Sequence, residues 1–144
     1  MSSAALQSAD SFRKLWRDVS TSAVIAAADN HSASFLELIA ALAGHSIFIQ
    51  KVQFSVIVEA NTESTLQSSN ATPVPGVEIN NPSSEGPFFW DFGERGYQVA
   101  VGEALNFRNS GAGTALVVAV QAYMKPIGPL VAKTAGATSG YNTL

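Results

Sequence analysis

Val99–Tyr123 reads VAVGEALNFRNSGAGTALVVAVQAY, three apolar segments separated by glycine-centred turns, with almost no charge. Val99 and Val101 alternate with small neighbours, Leu105 and Phe107 alternate with Ala104, Asn106 and Arg108, and Leu116, Val118 and Val120 lead into Tyr123. A repeat of two is what a pleated strand imposes, since successive side chains point to opposite faces. The stretch therefore predicts an antiparallel meander. Placing Val101 opposite Leu105 and Val99 opposite Phe107 on one buried face requires an odd loop, Gly102-Glu103-Ala104. Placing Phe107 opposite Leu116 requires an even one, either Gly111-Ala112 or Ser110-Gly111-Ala112-Gly113.

Outward from this stretch, Ile47–Val58 is the strongest strand pattern: Val52, Phe54, Val56 and Val58 alternate with Lys51, Gln53 and Ser55, one dry face and one wet one. Phe88-Phe89-Trp90-Asp91-Phe92 is bounded by Gly86-Pro87 and Gly93; Phe88, Trp90 and Phe92 share a face and read as core, which turns Phe89 outward. Two segments read both ways. Phe12, Leu15, Trp16 and Val19 have helical spacing, yet Val19–Ala28 continues without a helix stop, which favours an extended entry. In Ser34–Leu42, Phe35, Leu38 and Leu42 suit a helix, whereas Leu36, Leu38 and Ala40 suit a strand, and so short a helix is marginal alone.

Between Asn61 and Gly86 the composition turns to Asn, Ser, Thr, Pro and Glu, with Pro73, Pro75 and Pro82 opposing any long central strand. This region is expected to be loop with short strand pieces. The ends are small and polar. The expected organisation is an N-terminal arm over 1–18, a β-sandwich domain over 19–124 and a C-terminal tail over 125–144, all-β, antiparallel and jelly-roll-like.

With 144 residues there is room for one domain. Charged residues are 13% of the chain against roughly 25% in typical soluble domains, so either hydroxyl and amide side chains or other chains must cover the surface. A net charge of −3 leaves no electrostatic footprint for nucleic acid; Arg13, Lys14 and Arg17 form the only basic cluster. The absence of cysteine excludes disulfides and thiolate metal sites. No apolar run reaches the ~18 residues of a membrane span, and the first residues lack the pattern of a signal peptide.

Catalysis needs tuned groups within mutual reach. His31 lies in Asp29-Asn30-His31-Ser32 and His45 follows Gly44, both in turns, and residues so close in sequence rarely converge on one point. Asp91 and Glu94, with Glu85, are the only carboxylates that suggest a cation, and Gly turns commonly carry such residues. Gly111-Ala112-Gly113 lacks the Lys-Ser/Thr of a phosphate loop. No catalytic, cofactor or metal residue is assigned. The aromatics outside the expected core, Phe12, Trp16, Phe89 and Tyr141, are the candidate partner-contact residues.

Three pieces carry a resemblance: Ala41-Leu42-Ala43-Gly44-His45-Ser46-Ile47-Phe48-Ile49, Gly102-Glu103-Ala104-Leu105-Asn106, and the last apolar strand Thr114–Tyr123. Together they resemble the small β-sandwich head decoration, or cement, proteins of tailed bacteriophages, across the span from Val19 to Tyr123. The resemblance implies a virion structural protein without enzymatic activity. It would be made in the host cytoplasm and carried on the capsid surface, clustered as a homotrimer against the major capsid protein. The rival reading is a receptor- or carbohydrate-binding module of a phage tail or adhesin, with Phe89 or Trp90 stacking on a sugar.

Overall fold

The computed structural model describes residues 16–32, 34–80 and 87–127, and within them every regular element is a strand. In chain order these are β1 (Arg17–Asp18), β2 (Thr21–Ile25), β3 (Leu36–Ile39), β4 (His45–Val58), β5 (Glu63–Ser68), β6 (Pro73–Asn80), β7 (Phe88–Asp91), β8 (Tyr97–Gln98), β9 (Leu105–Asn109) and β10 (Ala115–Pro126).

They form two antiparallel sheets, consistent with a β-sandwich. In the first, β10 and β4 are the central pair; β1 and β2 lie end to end along the far side of β10, and β7 and β8 end to end along the far side of β4. In the second the order is β3-β9-β5-β6. Among the described strands only β5 and β6 are joined as a hairpin; elsewhere the chain leaves one sheet for the other, or continues along the same edge.

The inner faces follow from the alternation. Val118 pairs with Phe54 and Val120 with Val52, all at most 2% exposed, and Leu66, Leu105 and Phe107 meet them from the second sheet. Phe54 joins the layers, with its ring edge-on to Phe107 at 6.0 Å and to Trp90 at 5.2 Å. Burying each such side chain is worth about 1.5–3 kcal/mol. At one end of the sandwich the loops are tied by polar bonds: Thr62 and Thr114 share a buried hydroxyl bond of 2.6 Å, and the His31 amide donates to Asn109 Oδ1 at 2.6 Å.

The structure corrects the expected meander. Val99 donates its amide to Ile47 O, beside β4, and Val101 is exposed, so neither pairs with β9. Phe107 stands opposite Leu36 and Leu66, while Leu116 stands opposite Ile25 and Val56 in the other sheet. Gly102-Glu103-Ala104 and Ser110–Gly113 are turns that carry the chain between layers. The apolar period identifies a buried face, and both arrangements bury Val99, Leu105, Phe107 and Leu116, whereas Val101, expected on that face, is exposed.

The region expected to be loop with short strand pieces holds β5, a central strand of six residues, and β6, of eight. Proline is tolerated in β6 because it is an edge strand, where a missing N–H leaves no partner unsatisfied. Leu36–Ile39 is strand, paired with β9, which resolves the helical alternative there. At the start, Arg17 and Asp18 are extended and pair with Met124 and Tyr123; the rest of the ambiguous segment, residues 11–15, lies outside the described residues. Arg17–Asp18 and Lys125–Pro126 are thus sheet residues, two positions beyond each edge of the expected domain.

Candidate functional site

The outer face of the first sheet owes its shape to one residue too many in β4. Gln121 pairs with Lys51 but Ala122 pairs with Ile49, so Gln50 is a bulge, and both Gln50 and Lys51 come to the outer side. Beyond the bulge the alternation is restored with opposite phase. Ile47 and Ile49 stay in the core, while Phe48 faces out beside Tyr123.

Tyr123 is stacked on both sides. Its ring lies 5.3 Å from Trp16 at 18° and 5.1 Å from Phe48 at 7°. The Lys125 ammonium sits 5.0 Å from the Trp16 ring and 4.9 Å from that of Phe48, close enough for cation–π attraction. The Tyr123 hydroxyl donates to Arg95 O at 2.8 Å; burial pushes the phenol above its usual pKa, opposed by the Arg95 guanidinium. The segment after β7 is thereby drawn over the sheet, where Gln50 Nε2 donates to Glu94 O at 2.7 Å.

The result is a broad groove of about 1250 Å³ across the outer face. Trp16 and Asp18 form one rim, Phe89 and Phe92–Arg95 the other, and Gln50, Gln53, Ala119 and Gln121 the floor. The amides are linked: Gln121 Nε2 donates to Gln50 Oε1 at 3.3 Å, and Gln53 Nε2 to Ser55 Oγ at 2.8 Å. Asp18 Oδ1 accepts from the Ser20 amide, and hydrogen bonding from Ser20 lowers its pKa. A separate apolar patch, Val24, Ile57 and Val58, occupies one end of the same sheet.

Two of the four sequence candidates, Trp16 and Phe89, line this groove, on opposite edges of the sheet and at different ends of it. Trp16 is 42% exposed while stacked on Tyr123, and Phe89 is 68% exposed on β7. Phe12 and Tyr141 lie outside the described residues. Trp90 points inward, its Nε1 donating to Gly76 O at 2.8 Å, so it offers no platform.

The sequence reading missed Phe48, Gln50, Gln121 and Tyr123. Its available signal was the spacing of Ile49 and Val52, three apart instead of two, with adjacent Gln50 and Lys51 between them.

The His31 ring stands edge-on to Phe107, and His45 Nδ1 contacts Ala43 O. Asp91 Oδ1 accepts from the Gly93 amide, closing its own turn. Among the described residues no group of three or more His, Cys, Asp and Glu could hold a metal ion, and no helix is long and apolar enough to cross a membrane. No protein-family model matches the chain, and no curated protein matches it.

Proposed function

We propose that this chain is a structural protein of a tailed-phage virion that decorates the head, bound as a homotrimer to the major capsid protein. It carries out no reaction and takes no cofactor. The observation that carries the reading is the strand order. With β1/β2 and β7/β8 each taken as one interrupted strand, both sheets have four positions, and this order supports reading the sandwich as a jelly roll, an architecture shared by viral capsid and lectin domains.

Two further features support it. Trp16 and Lys125 are neighbours, and Arg17 and Asp18 pair with Met124 and Tyr123, so the first and last described strands lie side by side at one end of the sandwich. Sparse charge and a net charge of −3 suit a protein held among other chains and not on nucleic acid. Contacts from several clustered subunits add by avidity, so each can be weak.

The test is reconstitution on purified heads that lack the protein. Cosedimentation at a fixed ratio to the capsid protein, with symmetric clusters in particle images, is the expected result. A chain restricted to 16–127 should remain folded and bind heads more weakly. A monomer that never sediments with heads would end the proposal.

A further inference from the structure

We propose that the groove on the outer face of the first sheet is a binding site for a neutral oligosaccharide. The inference stands on the groove and does not require the virion reading.

Charge selects the ligand class first. The groove is lined by Arg17, Lys51 and Arg95 and by Asp18 and Glu94, and Asp91 stands opposite Lys51 in the strand register at its edge. Opposite charges are matched, so no net field attracts an anion such as a phosphate or a uronic acid, or a cation. Size comes next. Four strand positions about 4.8 Å apart set the width, and about 1250 Å³ exceeds the roughly 300–1,000 Å³ usual for a compact small molecule. The site fits an extended chain of rings better than one ring.

The distribution of polar and apolar groups then separates a sugar from a protein. A protein interface places its apolar side chains in a continuous centre with polar groups at the rim. Here the order is reversed: amides form the floor and aromatic rings stand at the rims. A pyranose has an apolar C–H face and a fringe of hydroxyls that both donate and accept. Phe89, exposed and directly opposite Gln53 in the strand register, offers a flat ring beside an amide. A primary amide has two N–H donors and an oxygen acceptor. Gln53 uses one N–H on Ser55, and Gln121 uses one on Gln50. Each retains the mixed donor and acceptor capacity that a hydroxyl pair demands.

The groove is also preorganised. Gln50 is anchored to Glu94 O, and Tyr123 is fixed between Trp16 and Phe48 while bonded to Arg95 O. A ligand would therefore find both rims already set, which reduces the ordering cost of binding.

The experiment uses the full chain on a printed array of neutral, uronate-bearing and sulfated oligosaccharides, followed by calorimetric titration with a hexasaccharide of the best neutral type. Saturable binding to neutral glycans is expected, weakened about tenfold or more by Phe89→Ala and by Gln53→Ala, each with an unchanged melting temperature. Phe35→Ala, an exposed aromatic outside the groove, should bind as the wild type does. Absence of neutral binding across the array, a preference for the acidic glycans, or full binding by both groove variants would each overturn the proposal. So would dissociation of an oligomer by Phe89→Ala with no glycan bound, because the groove would then be an interface between copies of this chain.

Discussion

The outer face of the first sheet presents Ala119, Gln121, Gln53 and Gln50 between aromatic rims, whereas that of the second presents Glu37, Arg108, Glu63 and Glu78. Both faces come from the same alternation, and both back onto the same core. The second spends charge on being wet. The first has amides, alanine and exposed rings, and leaves Phe89 and Val24 more than two-thirds exposed. Large exposed apolar groups near a concave surface are the mark of a face that is used. Both faces carry charge; what sets the first apart is its exposed aromatic rim and the amides that stand among Arg17, Asp18, Lys51, Glu94 and Arg95.

The sharpest way to break this comparison is to remove what the two faces share. Phe54→Ala takes out the ring that touches both Trp90 and Phe107, and should cost about 3–5 kcal/mol from lost burial and the cavity left behind. Phe89→Ala, on the adjacent strand and facing out, should change stability by no more than about 0.5 kcal/mol. Denaturant unfolding of the two variants side by side measures the difference. Equal losses would mean that the inner and outer faces of β7 have been exchanged.

Gly96 probes the rim alone. Its φ is +81°, and a Cβ there would lie 2.7 Å from Ile49 O, a backbone atom that cannot give way without moving β4. Gly96→Ala should cost about 1–3 kcal/mol and loosen the pairing of β8 with Phe48 and Ile49. Gly93→Ala, three residues earlier at φ +84° with nothing near the added Cβ, should cost only the backbone strain. Unfolding curves, with amide exchange at Phe48 and Ile49, give the measurement. A Gly96 variant as stable as the Gly93 one would detach the rim from the sheet.

Much of the fold was legible because burial leaves a period. The alternation in Val52–Val56 and Leu116–Val120, the inward pair Phe88 and Trp90, and the outward Phe89 all follow from side chains taking opposite faces; Val58, expected on the dry face, is exposed beyond the register shift at Ala115–Leu116, and Phe92 stands on the groove rim. Pairing was not legible, because a strand's pattern records the face it buries and not the neighbour it hydrogen-bonds. Leu105 and Phe107 would be buried equally well beside Val99 or beside Leu36 and Leu66. Loop parity could not decide between them, since a turn of either length can also serve as a crossing between sheets. β5 was hidden for a related reason: Ser64 and Ser68 are buried polar residues of a central strand, and hydroxyls between Asn and Pro read as loop. Of the site, the two rim aromatics were singled out, but that they share one groove depends on β1 and β7 flanking the same pair of long strands. The floor required the bulge at Gln50.

The smallest effect tests the wet face. Glu63 and Glu78 lie near one another on the outer side of the β5–β6 hairpin, and hydrogen bonding to Glu63, together with its negative charge, raises the Glu78 pKa above the ordinary value of 4.5. A raised acid favours folding in its protonated form. That contribution is fully present below 4.5 and is lost as pH rises through the higher folded value, so the pair works against the fold at neutral pH. Glu78→Gln removes the repulsion. The variant should melt at a slightly higher temperature than the wild type at neutral pH, and the two should converge below 4.5, where the wild-type carboxyl is already protonated. Because Glu78 is fully exposed, added salt should shrink the neutral-pH gap by screening. Melting curves at neutral and acidic pH, each with and without salt, provide the check. A gap that persisted unchanged at acidic pH would show that the effect comes from packing of the new amide, and would remove charge repulsion from the account of the second sheet's outer face.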